Sequence, residues 1–375
     1  MARSLVLISG YYGFDNLGDE AILEQLLSEV KAANVDHNNI VVLSNQPELT
    51  SKQFSVRSVN RWNLKEILSL MPQTKLFISG GGGLFQDTQS IKSIIYYGGL
   101  LAAARALGSK VLIYAQGIGP LKKAISKNLT KQSWQLAQQI SVRDENSYQQ
   151  LVYWGLAKKS IKTADPVWAL KPSTLPEAVR EILANASSDK KNMPALVGIS
   201  LRTGASFSDR HCQELVKILE DNLDSSTILV MLPLQDEQDR PILKVFAEHW
   251  QSKERIVWLP PNLNLLPSQW LSLIASLDMV IGMRLHSLIM SLASNKPVIG
   301  ISYDPKVEIV LQQFKQPNLS FSKSETSPNV ESWTTTVIAA LRNYSELSAI
   351  AKVQAEESRK IACQNGALIA KILTS

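Results

Sequence analysis

The sequence has 375 residues, of which 45% are apolar and 19% are charged, and its formal net charge is +6. This composition is typical of a folded globular protein with room for two domains, and it excludes global disorder. The sequence contains no zinc-ligand spacing and no basic stripe with interleaved aromatic residues, so we expect no nucleic-acid binding.

Cysteine usage and hydropathy indicate the compartment. Cys212 and Cys363 lie far apart in the sequence, which argues against a disulfide framework and predicts a reducing environment. The first apolar run, 5–8, is too short for a signal peptide, and the longest one, 94–104, is too short for a membrane span. We therefore expect a cytoplasmic protein; its scattered basic residues also permit peripheral association with the inner face of the plasma membrane.

The first half of the chain alternates short apolar runs with helical patterns. The runs lie at 5–8, 40–43, 76–78, 111–114 and 140–142, and helical patterns cover 20–30 and 90–107. Strands separated by such helices form right-handed crossovers and a doubly wound parallel sheet. We predict an N-terminal Rossmann-like domain over 1–170 and a linker over 171–194, which is rich in Pro, Ser, Asn and Lys.

The second half repeats the scheme. Strands are predicted at 196–201, 228–232, 256–259, 279–281 and 298–301, within a second Rossmann-like domain over 195–343. The tail, 344–375, predicts one long helix that packs on its own domain or crosses back to the first. Open α/β sheets bind ligands at the carboxyl ends of their strands, so we expect two domains that face each other across a cleft.

Two glycine-containing loops follow strands of the first domain. In the loop at 10–20, Asp15, Asn16 and Asp19 supply acceptors suited to sugar hydroxyls, although the spacing is not that of a dinucleotide fingerprint. A plain strand–helix turn, with Asn16 left-handed and Asp19 near the helix start, is the alternative. Four consecutive glycines at 80–83 favour a close backbone approach to a ligand or to the other domain.

Basic residues follow other strands. Arg143 could reach the cleft or pair with Asp144 or Glu145 on the surface, and Arg202 is either a rim charge or an anion clamp. The sequence Gly-Met-Arg-Leu-His-Ser at 282–287 places Arg284 and His286 at the start of a helix. With Lys306 on an adjacent loop, these residues indicate an anion site that contains a titratable imidazole. The alternative for His286 is a structural hydrogen bond, which is the usual role of a lone histidine.

The motifs together resemble those of the polysaccharide pyruvyl transferase family, CsaB type. The resemblance rests on segments that span residues 5 to 310 in order: 13–21, 79–87, 116–120, 142–144, 164–166, 282–287 and 303–306. It implies a fold similar to the GT-B glycosyltransferases and transfer of pyruvate from phosphoenolpyruvate onto two hydroxyls of a hexose or N-acetylhexosamine. The product would be a cyclic ketal in a cell-surface polysaccharide or its precursor, as in cell-wall biosynthesis.

The resemblance also implies residue roles. It makes His286 the critical histidine and places Arg202, Arg284, Leu285 and Lys306 at phosphoenolpyruvate in the second domain. Arg143, from the first domain, would contact the donor as well and neutralise charge across the cleft. Because ketal formation must protonate the methylene carbon, an imidazolium at His286 suits the role of general acid. We assign acceptor contacts in the first domain to Asn16, Gly81, Gly82, Gly83 and Asp87, and Asp15 or Asp19 to orienting or deprotonating the sugar hydroxyls.

The scheme requires no metal or other cofactor, and the sequence shows no compact His, Asp and Glu ligand cluster. Two alternatives remain open. One is a GT-B glycosyltransferase that uses a nucleotide sugar, since the fold alone does not determine the donor. The other is a non-catalytic polysaccharide-assembly protein with an aromatic platform for sugar stacking, to which Tyr11, Tyr12, Phe14 and Trp168 could contribute. The acceptor sugar, its linkage to lipid and the oligomeric state are not encoded in any recognisable pattern.

Overall fold

The structure is a computed structural model that describes residues 3–374 except 89, 187–194, 205–206, 261–262 and 322–326. The chain divides into two compact units. Unit 1 contains residues 1–170 and 358–375, and unit 2 contains residues 171–357.

Parallel strands form the centre of unit 1. Its strands are β1 (Leu5–Ser9), β2 (Ile40–Ser44), β3 (Arg57–Asn60), β4 (Thr74–Ser79), β5 (Lys110–Gln116), β6 (Gln139–Val142) and β7 (Ser160–Lys162). Among the described residues they form one sheet in the order β3-β2-β1-β4-β5-β6-β7. Every residue of β1 and β2 is buried, because helices cover both faces of a doubly wound sheet.

Helices connect these strands. They are α1 (Leu17–Ala32), α2 (Pro47–Phe54), α3 (Leu64–Leu70), α4 (Lys92–Ala106), α5 (Ala124–Gln135) and α6 (Glu145–Tyr153). Phe77 from β4 and Trp134 from α5 are almost fully buried in the core that these helices close. Burial of these aromatic side chains, together with the many aliphatic ones around them, stabilises the layered unit.

Unit 2 has the same construction with fewer strands. Its strands are β8 (Leu196–Ser200), β9 (Ile228–Met231), β10 (Ile256–Trp258), β11 (Met279–Gly282) and β12 (Val298–Gly300), in the sheet order β10-β9-β8-β11-β12 within the described part. Its helices are α7 (Glu177–Ala186), α8 (Asp209–Asn222), α9 (Asp236–His249), α10 (Pro267–Ala275), α11 (Leu285–Ala293), α12 (Pro305–Gln313) and α13 (Val330–Arg342).

The tail differs from the single helix predicted for 344–375. It contains two helices, α14 (Tyr344–Ala362) and α15 (Gln364–Thr374), which are separated at Cys363. The buried amide of Asn365 donates to the Ala362 carbonyl at 3.0 Å, and such a side-chain bond competes with the helical backbone bonds. Asn365 also accepts from the Thr163 hydroxyl at 3.0 Å, which ties α15 to unit 1.

Two strands were not predicted from apolar runs. β3 has the sequence Arg-Ser-Val-Asn and β7 has Ser-Ile-Lys, and both are edge strands. Their short, polar sequences suit a sheet edge, where one side of the backbone has no neighbouring strand. The predicted linker, 171–194, stays a prediction: α7 covers part of it, and 187–194 lie outside the described residues.

Candidate active site

The strand order of unit 1 reverses direction at one point of the sheet, between β1 and β4. β1 pairs with β2 on one side and with β4 on the other, so successive crossovers run in opposite directions from β1. Ligands of open α/β sheets bind at the carboxyl ends of the strands at such a switch point. The loops that leave β1 and β4 there are the two glycine-containing loops at 10–16 and 80–83.

The loop after β1 is organised by its own side chains. Asp15 takes a left-handed conformation with φ 55°, and Asn16 caps α1 by accepting from the Gly18 N–H at 3.1 Å. The alternative that placed Asn16 in the left-handed region is therefore wrong, because the cap requires Asn16 in an extended conformation. Asp19 lies in the first turn of α1, where the helix dipole favours a carboxylate.

Glu20 adds a buried carboxyl group to this loop. Its Oε1 accepts from the Gly13 N–H at 2.7 Å, and its side chain is almost fully buried. Burial raises the pKa of Glu20 from an ordinary 4.5 to about 8, against the lowering effect of the Gly13 hydrogen bond. Glu20 is therefore mostly protonated at neutral pH, a property that the sequence motif alone did not indicate.

The first three glycines of the run, 80–82, are required by the packing around them. A Cβ at Gly80 would lie 2.0 Å from the Tyr12 hydroxyl oxygen, and one at Gly81 would lie 2.7 Å from a methyl of Ile22. Gly82 has φ 97°, and a Cβ there would lie 3.0 Å from Asp19 Oδ1. The loop thus requires glycine to pass Tyr12 and α1, whereas a contact between Gly81, Gly82 or Gly83 and an acceptor stays a prediction.

Asp87 organises a loop within unit 1. Its two carboxylate oxygens accept from the backbone N–H groups of Lys122 and Lys123, at 2.7 and 2.8 Å. These two bonds lower the pKa of Asp87 because they favour its charged form. This carboxylate therefore binds backbone groups in the structure, and its contact with an acceptor stays a prediction.

Arg143 is engaged inside unit 1. Its guanidinium forms an ion pair with Asp165, and the side chains of both residues are largely buried. The surface pairing of Arg143 with Asp144 or Glu145 is therefore wrong. Asp144 instead caps α6 through the Ser147 N–H at 2.8 Å, and Glu145 pairs with Lys162. Arg143 also follows β6 directly, so its place at the carboxyl edge of the sheet is fixed.

Unit 2 has its own switch point, between β8 and β11. Ser200 at the end of β8 pairs in register with Gly282 of β11, and Gly282 pairs with Gly300 of β12. Arg202 lies two residues after Ser200, and Arg284 lies two residues after Gly282. The sheet therefore brings these two predicted arginines to neighbouring strand ends at the position where ligands of this fold class bind.

A buried carboxylate holds Arg284 in place. Arg284 Nε donates to both oxygens of Asp239 at 3.0 Å, and Nη2 also bonds Asp239 and, at 3.2 Å, Gln235 Oε1. Asp239 is fully buried, and burial raises its pKa although the bonds from Arg284 lower it. Nη1 of Arg284 donates no hydrogen bond to a described residue, so this nitrogen is available to a ligand.

Arg202 is the second cation of this edge. Its Nη1 donates to the Tyr303 hydroxyl at 2.9 Å, and its guanidinium carbon lies 5.1 Å from the centroid of the Tyr303 ring. The positive charge of Arg202 also lowers the pKa of Asp239, which places Arg202 close to the Arg284–Asp239 pair. Two polar pairs, Arg202 with Tyr303 and Arg284 with Asp239, therefore make up the polar group at these neighbouring strand ends of unit 2.

Two helix starts complete the group. Leu285 and His286 are the first two residues of α11, and both side chains are partly buried. Lys306 is the second residue of α12, and Asp304 caps that helix by accepting from the Lys306 N–H at 2.9 Å. A helix start presents partial positive charge, so both cations and backbone donors occupy this edge of unit 2.

The residues that sequence reasoning missed have a common feature. Asp239 lies on α9, Gln235 precedes α9 at its N-cap position, and Asp165 follows β7. All three are distant in sequence from the arginines that they bind. Their roles come from contacts between distant segments, which no local pattern reveals. Asp165 alone carried a signal, since it belongs to the Ala-Asp-Pro segment at 164–166.

A surface cavity lies elsewhere in unit 2. It measures about 390 Å³ and is lined by Arg240, Lys244, Ala247, Glu248, Lys253 and Trp258. These residues belong to α9 and to the edge strand β10 with the turn before it, away from the switch point. We therefore place the candidate site at the strand ends and not in this cavity.

Two further properties concern the described part of the chain. None of its helices combines the length and apolar character that crossing a membrane would require. No group of three or more His, Cys, Asp and Glu side chains among the described residues is arranged to hold a metal ion.

The sequence matches a family model. The model is described as polysaccharide pyruvyl transferase, and the match covers residues 16–305, which is well over half of the chain. The matched range contains the loop after β4 in unit 1 and the loops after β8 and β11 in unit 2. None of the curated proteins compared with the chain shows significant similarity in sequence.

Solved structures of low sequence identity share the fold. The UDP-GlcNAc 2-epimerase from Neisseria meningitidis, bound to UDP-GlcNAc, has a TM-score of 0.61 at 11% identity. The match covers 99% of this chain and 100% of the epimerase chain. UGT73P12 from Glycyrrhiza uralensis, complexed with glycyrrhetinic acid 3-O-monoglucuronide, has a TM-score of 0.64 at 10% identity. The match covers 99% of this chain and 96% of the UGT73P12 chain. Anabaena HepE in complex with UDP-glucose has a TM-score of 0.59 at 12% identity, and the match covers 99% of this chain and 98% of the HepE chain. The predicted GT-B type of fold, with two doubly wound α/β domains, is confirmed.

Proposed function

The chain belongs to the polysaccharide pyruvyl transferase family, and on that basis we propose that it transfers the pyruvyl group of phosphoenolpyruvate to a sugar. The acceptor is a hexose or N-acetylhexosamine of a cell-surface polysaccharide or its precursor, in free or lipid-linked form. Two of its hydroxyls form a cyclic ketal with the carbon that carried the phosphate, and inorganic phosphate is released.

One observation supports the donor most directly. Arg202 and Arg284 lie at neighbouring strand ends of the unit 2 switch point, beside the start of α11 that carries His286. Phosphoenolpyruvate has a carboxylate and a phosphate on one small carbon frame, so its site needs several cations and backbone donors. Arginine binds either group through a planar fork, and a helix start favours an anion.

Asp239 has a positioning role in this proposal. It binds Nε and Nη2 of Arg284 and so fixes the plane of the guanidinium, while Nη1 remains for the donor. A buried carboxylate next to the site also offsets part of the positive charge when the donor is absent. Lys306 and the N–H groups at Leu285 supply further positive charge for the donor. Arg143 belongs to unit 1, and its contact with phosphoenolpyruvate stays a prediction.

The chemical steps follow from this assignment. His286, as imidazolium, gives a proton to the methylene carbon of phosphoenolpyruvate and generates an oxocarbenium-like centre. One sugar hydroxyl attacks that centre, phosphate leaves, and the second hydroxyl closes the ring. The two hydroxyl protons balance the proton placed on carbon and the proton taken up by phosphate or base. Asp15 or Asp19 orients the hydroxyls or removes their protons.

This chemistry runs without a metal, so we expect activity in the presence of a chelator to equal activity in its absence. The measurement is the rate of phosphate release from phosphoenolpyruvate in buffer treated with EDTA. Full dependence of the rate on an added divalent cation would overturn this part of the proposal.

Donor choice separates the proposal from its nearest rival, a glycosyltransferase that uses a nucleotide sugar. We expect phosphoenolpyruvate to raise the melting temperature of the protein more than UDP-GlcNAc does at equal concentration. The increase should disappear in Arg202→Gln and persist in Arg342→Gln, since Arg342 is exposed on α13. Stabilisation by UDP-GlcNAc alone would favour the rival.

A further inference from the structure

We propose that an aromatic platform around Trp62 in unit 1 is the surface on which a pyranose ring of the acceptor stacks. The platform consists of Tyr11, Phe14, Arg61, Trp62, Tyr96 and Tyr97. The inference rests on the proposed function, because it supplies the acceptor site of the same reaction. It adds Arg61, Trp62, Tyr96 and Tyr97 to Tyr11 and Phe14, which the sequence already indicated for sugar stacking.

The platform lies at the ligand-binding edge of the sheet. Tyr11 and Phe14 follow β1, and Arg61 and Trp62 follow β3, with β2 between these strands. In parallel strands these positions share the carboxyl edge, and β1 also borders the switch point. The Arg61 guanidinium donates to the Gly10 carbonyl at 2.8 Å, which joins the loop after β3 to the loop after β1.

Arg61 forms the centre of the platform. Its guanidinium carbon lies between 4.8 and 5.4 Å from the ring centroids of Phe14, Trp62, Tyr96 and Tyr97. Its Nη2 donates to the Tyr97 hydroxyl at 3.0 Å, and the residue is only 4% exposed. No carboxylate of the described residues pairs with it, so aromatic faces stabilise this buried charge. The rings are therefore fixed around a cation.

Trp62 is fixed although it is exposed. Its side chain is 61% exposed, yet its indole N–H donates to Asn45 Oδ1 at 3.2 Å and its backbone N–H to Asn60 Oδ1 at 2.9 Å. Its ring centroid lies 5.3 Å from that of Tyr96. An aromatic ring held in place on the surface loses little conformational entropy when a ligand stacks on it.

Tyr11 offers a second exposed ring. It is 39% exposed and stacks on Phe14 with centroids 4.0 Å apart and planes inclined by 7°. By contrast, Tyr12 and Trp168, which were considered for sugar stacking on sequence grounds, are buried and present no ring to a ligand. The surface that remains for stacking is formed by Trp62 and Tyr11.

The surroundings of Trp62 fit a sugar. A pyranose ring has an apolar face of C–H groups, which suits an aromatic face, and a polar rim, which suits amide groups. The side chains of Asn45 and Asn60, which both accept from Trp62, supply those amides beside its ring. Asp19 and Arg61 both act electrostatically on the Tyr11 hydroxyl. Asp19, the candidate that orients sugar hydroxyls, lies in the first turn of the helix that follows Tyr11 and Phe14.

The test is binding of methyl glycosides of glucose, galactose and mannose and of their N-acetylamino counterparts to the full chain. Saturation-transfer difference NMR reports which ring C–H groups touch the protein, and a titration gives the affinity. We expect Trp62→Ala to weaken binding by about tenfold or more, and Trp62→Phe to stay within about threefold of wild type. Tyr153→Ala is the matched control, since Tyr153 is an 84% exposed aromatic residue of the same unit.

The outcomes are distinct. Wild-type affinity in Trp62→Ala, or no C–H contact from any glycoside in the wild type, overturns the platform. Leu64 and Leu68 are also exposed on α3, so phosphatidylglycerol vesicles form a second arm of the experiment. Vesicle binding that requires Trp62, with glycoside binding independent of it, assigns the surface to lipid and also overturns the inference.

The failure of the inference is separable from that of the proposed function. Phosphate release from phosphoenolpyruvate with an unchanged acceptor KM in Trp62→Ala overturns the platform and leaves the proposed transfer intact. Glycoside binding through Trp62 without any use of phosphoenolpyruvate leaves a sugar site and overturns the proposed transfer.

Discussion

Glu20 links the first loop of unit 1 to pH. Since burial raises its pKa from 4.5 to about 8, the folded protein binds more protons than the unfolded chain between these values. The free energy of unfolding contributed by this group is therefore fully present below about pH 4.5 and is lost as pH rises through about 8. Glu29, with its pKa raised by burial to about 7, acts in the same direction.

In the wild type, the unfolding free energy should fall between pH 5 and pH 8 as Glu20 loses its proton. We expect Glu20→Gln to make this fall smaller by a few kcal/mol, because each pKa unit corresponds to about 1.4 kcal/mol. Urea denaturation at several pH values measures the slope. Glu48→Gln, at an exposed position on α2, should keep the wild-type slope. An unchanged slope in Glu20→Gln would show that this carboxyl group does not titrate in that range.

Arg284 and Asp239 form a pair whose members are costly to separate. We expect Arg284→Ala to lower the unfolding free energy by roughly 3–5 kcal/mol, because it leaves the fully buried Asp239 carboxylate without its cation. The double variant Arg284→Ala with Asp239→Asn should recover most of that loss. Denaturant unfolding of the single and double variants gives both numbers.

A surface ion pair provides the comparison. Lys162→Ala breaks an ion pair whose two side chains are about half exposed, so its effect should stay below about 1 kcal/mol. If Arg284→Ala costs no more than Lys162→Ala, the buried pair does not stabilise unit 2 as described.

At the residue scale the sequence predicted positions better than partners. Arg202 and Arg284 were placed at strand ends because each directly follows an apolar run. Their partners, Tyr303 and Asp239, come from other loops and helices, and Arg143 pairs with Asp165 and not with its neighbours in sequence. Side-chain partners depend on which segments the fold brings together, and one sequence does not contain that information locally.

At the scale of elements, the loop after β4 is shaped by Tyr12. Because a Cβ at Gly80 would lie 2.0 Å from the Tyr12 hydroxyl, we expect Gly80→Ala to destabilise the protein by about 1–3 kcal/mol. The cost should be smaller in a Tyr12→Phe background, which removes the clashing oxygen. A double-mutant cycle measured by thermal or urea unfolding tests this coupling.

Gly99→Ala is the control for the glycine substitution. Gly99 is exposed within α4, and a Cβ there would meet no atom within 4 Å, so alanine should stabilise the helix by up to about 1 kcal/mol. Additive effects of Gly80→Ala and Tyr12→Phe would mean that Tyr12 does not explain the glycine at position 80.

The elements that were predicted and those that were missed differ in one respect. Buried central strands such as β1 and β2 are continuous apolar runs, and these the sequence displays directly. β3 and β7 are polar edge strands that pair only because a neighbouring strand is already in place. The break between α14 and α15 likewise involves bonds of Asn365 to Thr163 and Ala164, which belong to a distant segment of the sequence.

At the scale of the whole molecule, the C-terminal residues complete unit 1. Ile369 and Ile372 are buried in it, Asn365 bonds Thr163, and the Lys110 ammonium donates to the Ile372 carbonyl at 3.0 Å. We expect removal of 358–375 to reduce hydrogen-exchange protection throughout unit 1 and to leave unit 2 unchanged.

Point variants refine this prediction. Asn365→Ala should reproduce part of the loss of protection in unit 1, while Lys371→Ala, at an exposed position of the same helix, should not. Equal loss of protection in both units after the truncation would contradict the assignment of these residues to unit 1.

The two-domain α/β fold could be predicted because few topologies satisfy alternating strands and helices with right-handed crossovers. That rule fixes neither the donor nor the acceptor. The platform around Trp62 illustrates the limit: its rings come from loops after β1 and β3 and from α4, and Arg61 gathers them only in the folded chain.

The central claim is pyruvyl transfer with His286 as the acid. The decisive measurement is steady-state turnover of phosphoenolpyruvate with a glycoside acceptor, followed by released phosphate and by the mass of the ketal. We predict one phosphate per ketal for the wild type, and a kcat reduced by about 100-fold or more in His286→Ala. The stabilisation by phosphoenolpyruvate should be retained in that variant, and His37→Ala, at an exposed position of unit 1, should behave as wild type. Wild-type turnover in His286→Ala, or phosphate release without ketal, would contradict the account.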